Sequence, residues 1–134
     1  MATETKPDTN TFARWVVGIL LIGHGLIHML GPFEIWGIFD IEELTGQPSF
    51  DITQAAADFL GTAWLVAFAV LLVAGIGVLA HRSWWRMWAV AGVVVSQAVI
   101  VMWWADAATG TIPNVLVVAA VVFAKRLGLR SRGP

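Results

Sequence analysis

His24 and His28 stand four residues apart in the stretch Gly23-His24-Gly25-Leu26-Ile27-His28-Met29-Leu30-Gly31. On a helix that spacing stacks the two rings one turn apart on the same face. Histidine is rare in an apolar segment of membrane-spanning length unless it has a partner or a task. Four kinds of chemistry are open to such a pair. The rings could hydrogen-bond to other helices and fix packing register, a contact worth about 0.6 kcal/mol on average in a membrane. They could chelate a metal ion, with Asp58 or Asp106 as a third ligand. One of them could donate to the carbonyl of a quinone or another small apolar ligand in a pocket. They could also pass protons to a carboxylate. Haem between both histidines of one chain is disfavoured, because two neighbours on one helix face cannot reach opposite sides of one haem.

The residues that these rings could meet are Asp58, Thr62, Ser96, Gln97, Asp106 and Asn114, the polar side chains inside or at the ends of the other apolar runs. Together with His24 and His28 they form the candidate ligand-binding set, of which only the two histidines are candidate metal ligands. None is assigned a catalytic role. The residues do not name a cofactor: quinone, metal and haem are alternatives. The expected function is that of a small non-enzymatic membrane subunit binding a partner or lipid, and the alternative is a redox-linked subunit that uses His24 and His28.

Composition defines the setting. Of the 134 residues, 58% are hydrophobic and 13% charged, against roughly 25% charged in soluble domains. A chain this apolar is expected to be all-α and embedded in lipid as an integral membrane four-helix transmembrane bundle. The lack of cysteine excludes disulfides, thiolate metal sites and cysteine nucleophiles. No basic patch accompanies a nucleic-acid-binding fold, so nucleic acid is not an expected partner. The expected partners are the lipid bilayer and other copies or subunits meeting through transmembrane helices.

Punctuation divides the chain into helices at about 12–30, 55–80, 84–105 and 112–126, within a transmembrane domain spanning 12–127. A disordered cytoplasmic tail, 1–11, precedes it, with Asn10 or Thr11 as helix cap. A basic cytoplasmic tail, 128–134, follows. The first run has no positive n-region and no small-residue cleavage site, so it reads as a retained helix rather than a signal peptide. Gly31-Pro32 is expected to stop that helix. Residues 32–54 form a long loop mixing aromatic and acidic residues, suited to the interface or to folding back over the bundle mouth. Asp51 and Gln54 suggest a capping box for the second helix, and Thr111 a cap for the fourth, with Pro113 in its first turn.

Charge predicts orientation. Lys6, Arg14, Arg82, Arg86, Lys125, Arg126, Arg130 and Arg132 all lie on the two tails, their flanks and the 81–86 turn. The other two connections carry only acids, namely Glu34, Asp40, Glu42, Glu43, Asp51 and Asp106. The positive-inside rule then places both termini in the cytoplasm, N-in and C-in, in the cell (inner or plasma) membrane. Trp15, Trp84, Trp85 and Trp88 are expected at the inner interface, Trp103 and Trp104 at the outer one, and Trp64 inside the bundle. With this topology His24 lies about 6 Å deeper than His28, near the level of Thr62 and Gln97. Asp58 and Asn114 sit nearer the mouth. The inner half is almost wholly aliphatic, which argues against a proton path through one chain. Asp58, in a first helical turn, is favoured by the helix dipole without any function. Asp106, at a helix C-terminal end, is not explained that way and is expected to begin a turn or help cap the last helix.

The segment His-Gly-Leu-Ile-His-Met-Leu-Gly at 24–31 resembles small uncharacterised bacterial four-helix integral membrane proteins. Ser96-Gln97, followed by Trp103-Trp104-Ala105-Asp106-Ala107 and Thr109-Gly110-Thr111-Ile112-Pro113-Asn114, resembles them too. The resemblance implies the four-helix architecture and draws attention to these same residues, but it implies no reaction. A more distant likeness to DoxX-like membrane proteins, in helix number and glycine-rich helices, would imply a redox-linked membrane subunit.

Overall fold

The structure is a computed structural model that describes residues 9–129. Among the described residues it is all-helical, without strands. The helices are α1 (Thr9–Ile27), α2 (Leu30–Ile35), α3 (Gln54–Leu79), α4 (Trp85–Met102), α5 (Trp104–Ala107) and α6 (Thr111–Val122), with a 3-10 turn at Ala108–Gly110. Four stretches are long and apolar enough to cross a membrane: Asn10–Ile35, Gln54–Leu79, Trp85–Met102 and Trp104–Val122. α3 is central. α1 and α4 pack on its two sides, α6 lies against α4 and closes on α1, and α2 folds onto α3.

Small residues let these helices approach. Leu71 of α3 is fully buried, and a Cβ added at Gly25 of α1 would stand 3.3 Å from its Cβ. One added at Gly92 of α4 would come within 2.8 Å of its Cδ2. Leu71 therefore fills a slot that the two glycines open, which is how helices gain van der Waals contact in lipid. Around it Leu21, Ala74, Val78, Trp85, Ala89 and Val117 form a continuous core toward the end that carries the termini. There Arg14, buried on α1, donates from Nη1 to the Val78 carbonyl at 2.7 Å. The Val78 carbonyl also accepts the His81 N–H at 3.2 Å, and the dipole of α3 favours a cation at this end.

Several element ends differ from the sequence expectation. The first helix does not run to Gly31-Pro32. It ends at Ile27, the N–H groups of His28 and Met29 bond to the carbonyls of Gly25 and Leu26, and α2 begins at Leu30. Pro32 lies in the first turn of α2, where an amide hydrogen would have no helical partner. The loop is correspondingly shorter, beginning at Trp36. Residues 9–11, expected in the tail, are helical, so Asn10 and Thr11 are not caps; the tail residues 1–8 lie outside the described residues. Thr53, not Asp51, caps α3, its Oγ1 accepting from the Ala56 N–H at 3.2 Å. The third span breaks at Trp103, and Thr111 is the first residue of α6 rather than its cap. α6 ends at Val122, followed by turns, and the basic tail from Arg130 onward lies outside the described residues.

Two tryptophans depart from the expected belts. Trp15, Trp84, Trp88 and Trp104 are well exposed, but Trp85 and Trp103 are each only 1% exposed. Both lie on the buried stripe of α4 and its extension, which runs Trp85, Ala89, Gly92, Ser96, Val99 and Trp103. Depth along a helix assigned them to interfaces, and rotation about the helix axis turned them inward.

Candidate functional site

The site is built on the turn that separates α1 from α2. His24 points across the bundle to α4 and α6, where its Nε2 lies 2.8 Å from Asn114 Oδ1 and 3.3 Å from Ser96 Oγ. Asn114 is the hub. Its Nδ2 donates to Ser96 Oγ at 2.9 Å and to Gln97 Oε1 at 3.1 Å, and the Ser96 hydroxyl is 3.1 Å from its Oδ1. Gln97 Nε2 passes the chain on to Thr111 Oγ1 at 3.2 Å. His24, Ser96 and Asn114 are all buried. A buried polar network of this kind holds three helices in one register, because slippage would leave several groups unpaired.

His28 behaves differently. Its Nδ1 lies 3.0 Å from the carbonyl of His24, one turn back on α1, so it locks no other helix by hydrogen bonding. Its ring packs edge-on against His24, with centroids 4.7 Å apart, and beside Trp64 of α3, with centroids 5.4 Å apart. Trp64 in turn meets Trp103 edge-on at 5.9 Å. Gly31 makes room for this cluster, since a Cβ there would fall within the Trp64 indole.

These rings border a half-open cavity of about 290 Å³. His24, His28, Trp64, Trp103 and Ile100 line it from the helices, and Leu44, Gly46 and Glu34 from the loop side. Ile27 and Leu30 also line it and are 60% and 43% exposed. Within this lining His28 Nε2, Trp64 Nε1 and His24 Nδ1 are buried without a hydrogen-bond partner in the protein. Buried polar atoms are nearly always satisfied, and each exception calls for an explanation.

The loop is fastened over the cavity by Asp106. Its Oδ1 accepts from the Thr45 N–H and hydroxyl, each at 3.0 Å, and its Oδ2 from the Gly46 N–H at 3.0 Å. Trp103 Nε1 donates to the Gly46 carbonyl at 3.2 Å. The Ser49 N–H donates to the Met102 carbonyl at 2.7 Å, and its hydroxyl oxygen accepts from the Trp104 N–H at 2.9 Å. Glu34 on α2 receives the Ile41 N–H at 2.9 Å. Asp106 thus neither begins a turn nor caps α6: it is the clasp of the loop.

Of the candidate residues, His24, Ser96, Gln97 and Asn114 meet in one network, and His24, His28 and Asp106 line the cavity. Asp58 and Thr62 do neither. Both are exposed on the outer face of α3, where Asp58 accepts from Gln54 Nε2 at 2.8 Å and Thr62 donates to the Phe59 carbonyl. They have the right depth and the wrong rotation. Trp64 was expected inside the bundle and Trp103 at an interface, so neither belonged to the candidate set, and Glu34 and Gly46 carried no signal as site residues. For a metal, His24 and His28 offer two bare nitrogens, but no group of three His, Cys, Asp or Glu suited to one ion occurs among the described residues. Comparison with protein-family models, curated proteins and solved structures finds no match.

Proposed function

We propose that this chain is a multi-pass membrane protein, both termini cytoplasmic, that binds a small and mostly apolar ligand in the loop-covered cavity. Insertion is supported by the exposed Ile19, Phe59, Val66, Ile76, Val94, Val115 and Val122, an apolar surface too extensive for water. The orientation rests on the segregation of Lys and Arg from acidic connections, and in a bacterium it corresponds to the inner membrane. The single observation that carries ligand binding is the cavity of about 290 Å³, lined by aromatic and aliphatic side chains together with His24, His28, Glu34 and Asp106. Ligand sites combine an apolar lining with a few convergent polar groups, and this one has that composition. The exposed apolar residues Ile27 and Leu30 at the half-open cavity give a lipid-soluble molecule a route in.

The role is binding rather than turnover, within the protein itself or as a subunit of a larger membrane assembly. Protein purified from native membranes and examined by mass spectrometry after solvent extraction is expected to yield a small lipophilic molecule. A Trp103→Leu/His28→Leu double variant is expected to lose it. Recovery of the same extract from wild type and variant, lipid alone, would defeat the proposal. Reporter fusions at either terminus are expected to report the cytoplasm, and periplasmic activity would reverse the topology.

A further inference from the structure

We infer that the ligand of this cavity is an organic cation, an ammonium group carried on an apolar body, rather than an anion or an uncharged molecule. The inference rests on the ligand-binding reading above and adds the sign of the charge. Glu34 and Asp106 both line the half-open cavity, and both reach Gly46, a third lining residue. The Gly46 N–H donates to Asp106 Oδ2 at 3.0 Å, and a Cβ added at Gly46 would stand 3.8 Å from Glu34 Oε1. Two acids of like charge thus meet at one loop residue, each only partly buried.

The protein satisfies the lone pairs of these acids and leaves their charge. Their partners are the N–H groups of Ile41, Thr45 and Gly46 and the Thr45 hydroxyl, all neutral. Neither histidine pairs with them, since His24 meets Asn114 and Ser96, and His28 meets the His24 carbonyl. Thr109 adds a neutral hydroxyl to the lining. The described lysines and arginines, Arg14, Arg82, Arg86, Lys125 and Arg126, lie toward the end that carries the termini, and none lines the cavity. The helix ends that reach the cavity offset one another, the C-terminal end of α1 at Ile27 being negative and the start of α6 beside Gly110 positive. The nearby loop acids, Asp40, Glu42, Glu43 and Asp51, repeat the sign of Glu34 and Asp106. A cleft with one sign of charge and low-dielectric walls concentrates potential and draws the opposite charge.

The rest of the lining decides the kind of cation. Ile27, Leu30, Ile35, Leu44, Ile100 and Pro113 are apolar. A hydrated metal ion needs six or more oxygens, and no group of three His, Cys, Asp or Glu suited to one occurs among the described residues. An alkyl- or arylammonium places its charge at Glu34 and Asp106 and its body against the apolar side chains.

The test uses the full chain in nanodiscs of phosphatidylcholine, a lipid without net charge, with binding counted against empty nanodiscs. Three probes of similar size are compared: phenyltrimethylammonium, tert-butylbenzene, in which carbon replaces the charged nitrogen, and benzenesulfonate. Phenyltrimethylammonium is expected to bind at least about tenfold more tightly than benzenesulfonate and to weaken as salt rises. Glu34→Gln, which keeps an oxygen for the Ile41 N–H, should weaken the ammonium several-fold and leave tert-butylbenzene unchanged. Leu44→Trp, which fills the cavity from the loop, should exclude the ammonium. Ammonium binding that survives Leu44→Trp would lie elsewhere and overturn the inference. Benzenesulfonate binding as tightly as the ammonium, or tert-butylbenzene binding where the ammonium does not, would overturn the charge while leaving ligand binding intact. If none of the three binds, the ligand-binding reading fails and the inference with it. Should Glu34→Gln not fold, the ammonium-to-sulfonate ratio and its salt dependence in the wild type decide.

Discussion

Toward the termini, the helices of this bundle meet mainly through the aliphatic Leu21, Leu71, Ala74, Val78, Ala89 and Val117, with Leu71 seated against Gly25 and Gly92 of the facing helices. At the opposite end the same helices face one another through imidazole and indole rings, with Trp64, Trp103, His24 and His28 in edge-on or tilted contacts. Aliphatic branches can fill the space between two helices to crystal-like density. Rigid planar rings set edge to face leave gaps, and here the gap is the cavity. The first half gains its stability from shape. The second spends polar groups on register and keeps some of them unpaired. Two histidines one turn apart carry the same contrast, since His24 ties three helices together and His28 bonds only to its own.

Breaking the aliphatic half should cost most. Leu71→Ala empties the slot between Gly25 and Gly92 and is expected to lower stability by about 2–4 kcal/mol, read by reversible unfolding in mixed micelles. Next comes the hub of the polar half. Asn114→Leu strands His24, Ser96 and Gln97 and should cost about 1–3 kcal/mol in the same measurement. A cost near that of an exposed substitution would mean the network does not hold register. Asp106→Asn is expected to cost about 1 kcal/mol or less, because its bonds lie near the surface. Its main effect should be access, with acrylamide quenching of Trp103 rising as the loop loosens. His28→Phe should cost least, under about 1 kcal/mol, since no other helix loses a hydrogen bond. If it destabilised as much as Asn114→Leu, the contrast between the two histidines would collapse.

Depth along the helices was legible in the residues, and rotation about them was not. Spacing brought His24, Gln97 and Asn114 to the same end of the bundle because rise per residue is nearly constant. It brought Thr62 and Asp58 there as well, although α3 turns both to the outside. Little in the residues of α3 says so, for a helix this uniformly apolar beyond Asp58 and Thr62 has no strong polar side to fix its rotation. The inward turn of Trp85 and Trp103 escaped for the same reason. The clasp at Asp106 escaped for another: it joins residues 61 apart in the chain, and no local pattern records which loop a carboxylate will receive.

Composition, hydrophobic run length and turn residues by themselves determined that the chain makes four apolar helical spans, because those are local properties of backbone and side chain. Tertiary structure decided which of the two histidines bonds across helices and which bonds only to the backbone one turn back. It decided this because hydrogen-bond partners on α4 and α6 lie within reach of one ring and not of the other, one helical turn away.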